Sequence, residues 1–259
     1  MSLTTTPISD ADRVALSRRP EGRPVMRQRW RKLLFLHWEV SPDAIRPLLP
    51  PGLELDTFEG RAYIGLVPFS MEGVRPSGLP AVRWLSNFHE TNVRTYVHHR
   101  GTKPGVWFFS LDAANAVASS IGRRWFNLPY FFARMDLSAE ESGGTLRLKY
   151  HSTRLRPDPR PATTRVEAEV RSTVELARVG SVEYFLAERY LLYAASKSGA
   201  LSTGRVHHTP YPLRVAEVTA LEESAMKAAG IDRPDGPPLA HYAEGVDVEV
   251  FGLKPVSRP

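Results

Sequence analysis

The sequence predicts a mainly β protein with a few short helices. Between Thr164 and Glu175, apolar and polar side chains alternate at every second position, which is the signature of a strand with one buried and one solvent-exposed face. Comparable runs recur along most of the chain, with turn residues between many of them. Segments with helical start and stop signals are few and short.

The further strands follow in chain order. Pairs such as Glu59-Gly60, Gly143-Gly144 and Ser198-Gly199 mark turns between them. The predicted strands lie at about 31–40, 53–58, 61–71, 88–99, 105–111, 129–137, 144–153, 189–196, 201–208 and 246–253. So many strands have to close on themselves or stack to bury their apolar faces.

Four short helices are predicted between these strands. Ser41-Pro42-Asp43 begins the first with a cap and a proline in the first turn, and Pro50-Pro51-Gly52 ends it. The others cover about 112–125, 181–188 and 216–229.

Length and composition favour one domain. The chain has 259 residues, of which 42% are hydrophobic and 10% aromatic, the usual share of a globular protein. The first 25 residues have almost no periodic apolar face, so residues 1–25 are predicted to be a flexible tail and residues 26–259 a single domain. Pro- and Gly-rich stretches at 75–80, 156–161 and 232–238 are too short for interdomain linkers.

Composition also limits the compartment and the partners. The chain has no cysteine, which excludes disulfides and thiolate metal sites and favours the cytoplasm. No segment has the apolar length of a secretory signal or a membrane span, so no membrane partner is expected. The formal charge is +6, but arginines are scattered from Arg13 to Arg258 without a basic cluster, so no nucleic-acid partner is expected.

The strand FHETNVRTYVHH, residues 88–99, has one polar face. A carboxylate, an amide, a guanidinium and a phenol follow each other at two-residue steps: Glu90, Asn92, Arg94 and Tyr96. This face either points to water or lines a polar cavity. In isolation, the solvent interpretation is favoured.

The stretch GRRWFNLPYFF, residues 122–132, favours the interpretation that the polar face lines a cavity. The strand that begins at its end places Tyr130, Phe132 and Arg134 on one side, and it starts with aromatic residues on both faces. A strand that is apolar on both faces at one end is usually buried there, and a buried tyrosine needs a partner for its hydroxyl. We therefore expect Tyr130 to face a pocket.

Other motifs exclude several kinds of site. The histidine pairs 98–99 and 207–208 are adjacent, so their side chains point to opposite faces of a strand and no metal site is expected. No phosphate-binding loop, nucleophile elbow or H-E-x-x-H motif is present. His37 shares one face of its strand with Glu39. It is either a pocket residue or a core histidine whose ring nitrogens have hydrogen-bond partners.

Several ordered motifs resemble a known family. The segment from Gly122 to Phe131 is similar to the acetoacetate decarboxylase segment Gly-Arg-Glu-x-Trp-Gly-Phe-Pro-Lys-Lys. HWEVSPDAIRPLLPPGLELDTFEGRAYIGLVPFSM, FHETNVRTYV, GVWFFSLDA and YFLAERYLLY resemble the YqjF-like family of uncharacterised proteins, related to that enzyme. The resemblance spans residues 25 to 255 and implies an acetoacetate decarboxylase-like antiparallel β-cone or barrel around a small cavity.

The resemblance also assigns residues. It implies that Glu90 matches the decarboxylase's cavity glutamate, while Tyr130 and Phe131 stand where that enzyme has its two lysines. A phenol cannot form the imine that the decarboxylase makes with its keto acid. Decarboxylation through a Schiff base is therefore not expected.

Two functions remain open from the sequence. In the first, the protein is an enzyme in which Glu90 acts as a base and Tyr130 or Arg94 polarises a small carbonyl or carboxylate compound. In the second, the same compound binds without turnover. Asn92, Arg134 and His37 are the further candidate binding residues, no cofactor is expected, and a homo-oligomer stays open.

Overall fold

The computed structural model describes residues 8–171 and 173–256 and confirms the mainly β fold. The strands are β1 (Met26–Val40), β2 (Glu54–Leu55), β3 (Ala62–Pro76), β4 (Phe88–His99), β5 (Thr102–Ala113), β6 (Tyr130–Ser142), β7 (Thr145–Arg156), β8 (Thr163–Val170), β9 (Glu175–Leu176), β10 (Leu191–Ala195), β11 (Leu201–His207), β12 (Pro212–Glu223), β13 (Leu239–Val250) and β14 (Lys254–Pro255). The helices are α1 (Asp10–Ser17), α2 (Pro42–Ile45), α3 (Arg83–Ser86), α4 (Ala116–Trp125), α5 (Val182–Ala187) and α6 (Ala225–Ala228), with a 3₁₀ turn at Arg46–Leu48.

One sheet contains all the described strands. Its order is β14-β11-β10-β5-β6-β7-β8-β12-β13-β1-β3-β4-β2, with β9 beside β12. Strand β4 also pairs with β5, so the path from β5 through β6, β1 and β3 returns to its start. Most neighbours are antiparallel, whereas β5 runs parallel to β6 and to β10. The single-domain assignment itself stays a prediction.

Strands β1 and β3 are buried on both faces, which explains their long apolar runs. Leu34 and Leu36 pack on one side into the largest core cluster, against β7, β8 and β12. Leu33 and Phe35 point to the other side, where they join a second cluster with Phe69 of β3. This second side faces the cavity described below.

The predicted helix at 216–229 is wrong for most of its length. Residues up to Glu223 belong to β12, which pairs with β8 and with β13, and only Ala225–Ala228 are helical. Alanine, glutamate and leucine favour a helix locally, but residues 216–223 instead pair with β8, which satisfies their backbone groups. Similarly, α4 begins at Ala116 rather than 112, because Asp112 still lies in β5 and Asn115 caps the helix.

Part of the segment predicted to be a flexible tail, residues 8–25, contacts the rest of the chain. Helix α1 begins with a capping box between Ser9 and Asp12. Its Arg13 is buried and binds Asp56 through two hydrogen bonds of 2.5 and 2.7 Å. Arg205 also donates a 2.7 Å bond to the carbonyl of Leu16. A buried charge rather than an apolar face holds this segment, and residues 1–7 of the predicted tail lie outside the described residues.

Candidate functional site

A cavity of about 440 Å³ lies between β1, β3, β4 and helix α4. Its wall is mostly apolar, with contributions from Leu33, Val67, Phe69, Met71, Phe88, Phe108, Leu111, Ile121 and Leu192. Polar side chains are few, which is typical of a small-molecule site where a handful of groups orient the ligand.

Strand β4 supplies three of these polar groups. Glu90, Asn92 and Arg94 all line the cavity, as alternate residues on one face of a strand must. All three side chains are buried. The face that could have pointed to solvent therefore points into the interior.

Tyr130, the first residue of β6, lies opposite Glu90 and also lines the cavity. The phenol and the Glu90 carboxyl are close enough to shift each other's pKa. Helix α4 packs closely on the ring: a Cβ atom at Gly122 would lie only 2.3 Å from Tyr130 Cδ2. A glycine at this position is thus what allows the helix to approach the tyrosine.

Burial raises the pKa of Glu90 to about 8. The polar side chains of Tyr130 and Asn92 act in the opposite direction, and the nearby charge of Asp112 adds to the increase. Burial and the Glu90 charge also raise the pKa of Tyr130 well above its usual value. One carboxylate oxygen, Glu90 Oε2, has no hydrogen-bond partner within the described part of the chain.

Arg94 brings a positive charge into the same cavity. Its Nη2 donates to the carbonyl of Leu186 at 3.1 Å and lies 3.5 Å from the Tyr96 hydroxyl. Within residues 8–171 and 173–256, no carboxylate forms a salt bridge with Arg94, and its Nε has no hydrogen-bond partner. A buried guanidinium without a counter-ion is suited to bind an anion.

A buried ion pair lies beside Glu90. Arg154 Nε donates to Asp112 Oδ1 at 2.9 Å, and the guanidinium lies 3.7 Å from the centre of the Phe131 ring. Burial raises the pKa of Asp112 to about 6, against the opposing charge and hydrogen bond of Arg154. This pair fixes the junction between β5 and β6 from which Tyr130 enters the cavity.

A second arginine, Arg189, reaches the cavity from the segment that follows α5. Its Nη1 donates to Asp56 at 2.6 Å, so this carboxylate joins Arg189 to Arg13 of the N-terminal helix. The guanidinium also stacks on the rings of Tyr96 and Phe185. Burial alone would raise the pKa of Asp56, but the two arginines outweigh it and lower the pKa.

Two of the predicted binding residues lie outside the cavity wall. His37 is buried behind Tyr96, with its Nε2 2.6 Å from the Tyr96 hydroxyl, and burial lowers its pKa well below the usual value. Arg134 is exposed. It shares a face with Tyr130 but stands four residues further along β6, roughly 13 Å at strand spacing, where the strand has left the cavity. Arg134 therefore does not line this cavity, and its role in binding stays a prediction.

Sequence reasoning missed Arg189 and the Asp112–Arg154 pair. Arg189 lies within the apolar run YFLAERYLLY, and Asp112 ends the apolar run GVWFFSLDA. A charge inside such a run is a usable signal, because a buried charge needs a partner or a ligand. Tyr211 is a further cavity residue that was not singled out.

No lysine lines the cavity. The six lysines of the chain lie within the described residues and are exposed or half-buried: Lys32, Lys103, Lys149, Lys197, Lys227 and Lys254. Tyr130 therefore has no lysine beside it in the cavity wall.

A second, more open depression of about 600 Å³ lies outside the cavity, on β6, β7 and β8. His89, Asp136, His151 and Glu167 are among its lining residues. Within the described residues, none of its side chains has a buried polar atom that lacks a partner. The cavity beside α4, where Glu90, Asn92 and Arg94 of β4 each have such an atom, is the better candidate.

Two further kinds of site are absent from the described residues. No group of three or more histidine, aspartate or glutamate side chains there is arranged to hold a metal ion. Within the same residues, no helix has the length and apolar character needed to cross a membrane.

The sequence matches the DUF2071 family of uncharacterized conserved proteins (COG2071) over residues 27–247. It is 37% identical over 235 residues to the uncharacterized protein YqjF of Bacillus subtilis (strain 168), covering 91% of this chain and 94% of that protein. The match includes all of the polar cavity residues named above, and it confirms the resemblance inferred from the motifs.

Solved structures with the same fold are more distant in sequence. Acetoacetate decarboxylase from Legionella pneumophila has a TM-score of 0.61 at 13% identity, covering 99% of this chain and 98% of that one. An acetoacetate decarboxylase-like enzyme from Sphingomonas wittichii RW1 has a TM-score of 0.60 at 12% identity, covering 92% of this chain and 95% of that one. The enduracididine biosynthesis enzyme MppR, complexed with pyruvate, has a TM-score of 0.57 at 16% identity, and the similarity covers 92% of each chain. These similarities confirm the acetoacetate decarboxylase-like fold.

Proposed function

Because this chain belongs to the DUF2071 family and has an acetoacetate decarboxylase-like fold, we propose that its cavity binds a small carbonyl or carboxylate compound and transfers a proton on it. Glu90 and Tyr130 are the catalytic residues in this proposal. Asn92 and Arg94 bind the substrate. The reaction proceeds without a Schiff base.

The observation that carries the proposal is the buried pair of Glu90 and Tyr130. A carboxyl group with a pKa of about 8 is mostly protonated at neutral pH, yet its ionised form is a stronger base than an ordinary glutamate. Catalytic groups work best when their pKa lies near the operating pH, and such perturbed groups cluster at functional sites.

The proposed chemistry is proton transfer next to a carbonyl. Arg94 pairs with the carboxylate of the compound, and the Tyr130 hydroxyl hydrogen-bonds to its carbonyl oxygen. Ionised Glu90 takes a proton from the adjacent carbon, so that the C–H bond breaks, the glutamate O–H bond forms, and the electron pair moves onto the carbonyl oxygen. Glu90 then returns the proton to carbon, which completes the exchange without any co-reactant.

Imine chemistry is excluded from the proposal for a chemical reason. A Schiff base requires a primary amine within reach of the substrate carbonyl, and the cavity wall contains Tyr130 but no lysine side chain. The phenol of Tyr130 can donate a hydrogen bond but cannot form an imine.

The alternative is a binding protein that holds the same compound without turnover. The buried, unpaired guanidinium of Arg94 favours anion binding whether or not a proton moves afterwards. The two functions differ only in what happens to the hydrogen atoms on the carbon beside the carbonyl.

Ligand screening and proton exchange separate them. Keto acids, hydroxy acids and aldehydes are screened for an increase in melting temperature, since a ligand that binds only the native state stabilises it. Each compound that binds is then incubated in D₂O with wild-type protein and with Glu90→Gln, and deuterium incorporation is followed by NMR. Exchange that needs Glu90 supports the enzyme, and binding without exchange supports the alternative. If no carbonyl or carboxylate compound binds, both are wrong.

A further inference from the structure

Polar and apolar side chains succeed one another along the cavity, and the pairing of β3 with β4 gives their order. Arg94 pairs with Gly65, Asn92 with Val67, and Glu90 with Phe69. Continuing along β3 in the same direction, Met71 and Val74 also line the cavity, and the strand ends at Pro76. The buried polar groups Glu90, Asn92 and Arg94 therefore occupy one part of the cavity. A mostly apolar limb continues beyond Glu90, with the half-buried Gln28 and Arg75 as polar lining residues near its outer end.

The far end of this limb is open to solvent. Val25 and Trp125 both line the cavity and are 46% and 70% exposed, and Pro76 beside them is exposed too. Met26 pairs with Pro76 at the same end of the sheet. At the opposite end, Arg94 and Arg189 are buried. A ligand that enters between Val25 and Trp125 thus passes the apolar limb before it meets the polar groups.

Helix α4 forms one side of the limb. Ala118, Ile121, Gly122 and Trp125 lie three or four residues apart, so they share one face of the helix, and all four line the cavity. Val117, on another face, is exposed and does not line it. The limb therefore has α4 on one side and β3 on the other.

The volume is too large for a small keto acid. At about 30 Å³ for each water-sized group, 440 Å³ holds roughly fifteen such groups. A three- or four-carbon acid bound at Arg94 would leave the apolar limb empty or filled with water that has few polar partners there. Apolar walls of this kind gain most when an apolar ligand group covers them.

We propose that the substrate of this site is an oxo acid with an apolar tail of about eight or more heavy atoms, bound with its carboxylate towards Arg94 and its tail along the limb between α4 and β3. This inference rests on the proposed function, because it assigns a substrate class to the same residues. The inference adds to the proposed function the apolar tail of the substrate and the direction in which the substrate lies in the cavity.

The proposal is tested with straight-chain 2-oxo acids from pyruvate to about twelve carbons, with dissociation constants measured by calorimetry below their aggregation concentration. Each buried CH₂ group contributes about 0.8 kcal/mol, so affinity should increase about fourfold for each added carbon and level off when the tail reaches Trp125. Methyl ketones of matching length serve as controls without the carboxylate, and they should bind more weakly.

Two variants locate the tail. Ala118→Phe and Ile121→Trp narrow the limb, and we expect each to abolish the increase with chain length, so that long acids bind no better than pyruvate does to the same variant. Val117→Phe adds a similar bulk on the exposed face of the same helix and should leave the whole series unchanged. Thermal unfolding of each variant confirms that it is folded.

The outcomes separate the inference from the proposed function. If acids of all lengths bind equally, or if the narrowed variants keep the increase with length, the tail is not in the limb and the inference is wrong, although the proposed function stands. If the acids bind no better than the ketones and Arg94→Gln changes nothing, the carboxylate does not meet Arg94 and the proposed binding mode fails as well.

Discussion

Tyr130, at the start of β6, and Glu90, near the start of β4, line the same cavity and shift each other's pKa. The Tyr130 side chain lowers the pKa of Glu90, and the Glu90 charge raises the pKa of Tyr130. Burial is nevertheless the larger effect on Glu90 and leaves its pKa at about 8. Several measurable properties depend on this pair and on the residues that hold it.

The pH dependence of stability should show the Glu90 titration. Its pKa is about 8 in the folded protein and 4.5 when unperturbed, so the folded state binds more protons between these values. The free energy of unfolding should therefore decrease as pH rises from about 4.5 to about 8, by at most about 5 kcal/mol from this residue. Glu90→Gln should remove that part of the decrease.

Denaturant unfolding of both proteins at several pH values checks this expectation. The variant serves as the control for the other titrating groups, including Asp112, because they remain in both proteins. Equal slopes for the two proteins between pH 5 and 8 would mean that Glu90 titrates like an exposed carboxylate.

Gly122→Ala should disturb the cavity through Tyr130. The added methyl group would lie 2.3 Å from Tyr130 Cδ2, so the ring or the helix has to move. We expect a loss of about 1–3 kcal/mol in the free energy of unfolding, as for other overpacked sites, together with weaker ligand binding. Gly252→Ala is the matched control, because its methyl group would lie 3.6 Å from Val25 Cγ1, an ordinary contact. Similar losses in both variants would contradict the role given to Gly122.

Arg13→Ala should destabilise the protein although the residue lies in the N-terminal segment. The substitution leaves the buried Asp56 with Arg189 alone and removes two hydrogen bonds. Removing one member of a buried ion pair typically costs about 3–5 kcal/mol, and the remaining arginine should reduce this to about 2–3 kcal/mol. The exposed Arg18 on the same segment provides the control Arg18→Ala, which should change the melting temperature little. An unchanged melting temperature for Arg13→Ala would instead restore the prediction of an undocked tail.

Covalent trapping tests the absence of imine chemistry. Wild-type protein incubated with acetoacetate and borohydride should show no adduct by intact mass, since no lysine lines the cavity. Tyr130→Lys should form an adduct slowly, because ionised Glu90 beside the new amine favours its charged form. Tyr130→Lys combined with Glu90→Gln should react faster, since burial then lowers the pKa of the amine without that opposing charge. An adduct on the wild-type protein would contradict the proposal.

Much of the cavity could be predicted from the sequence because strand periodicity decides which side chains share a face. Glu90, Asn92 and Arg94 follow from the period of β4, and Tyr130 from the aromatic start of β6. Arg134 shows the limit of this reasoning: periodicity gives the face but not the point at which a strand leaves the cavity.

The residues that sequence reasoning missed depend on contacts between distant segments. Arg13, Asp56 and Arg189 meet through one carboxylate although they lie in three separate parts of the chain. No local pattern connects them, so the docking of α1 could not be read from its weak apolar face. Strand β12 was missed for a related reason, since its helix-forming residues 216–223 pair with β8, a segment distant in the sequence.

The pKa of Glu90 tests the central claim most directly. Protein labelled with ¹³C at the glutamate carboxyl carbon is titrated by NMR, and the Glu90→Gln variant identifies the resonance of this residue. We expect its carboxyl to titrate near pH 8 in the ligand-free protein, whereas the exposed glutamates titrate several units lower. A Glu90 resonance that titrates near 4.5 would show that the carboxyl is solvated and ionised at neutral pH, and would contradict the buried acid–base pair on which the proposed function rests.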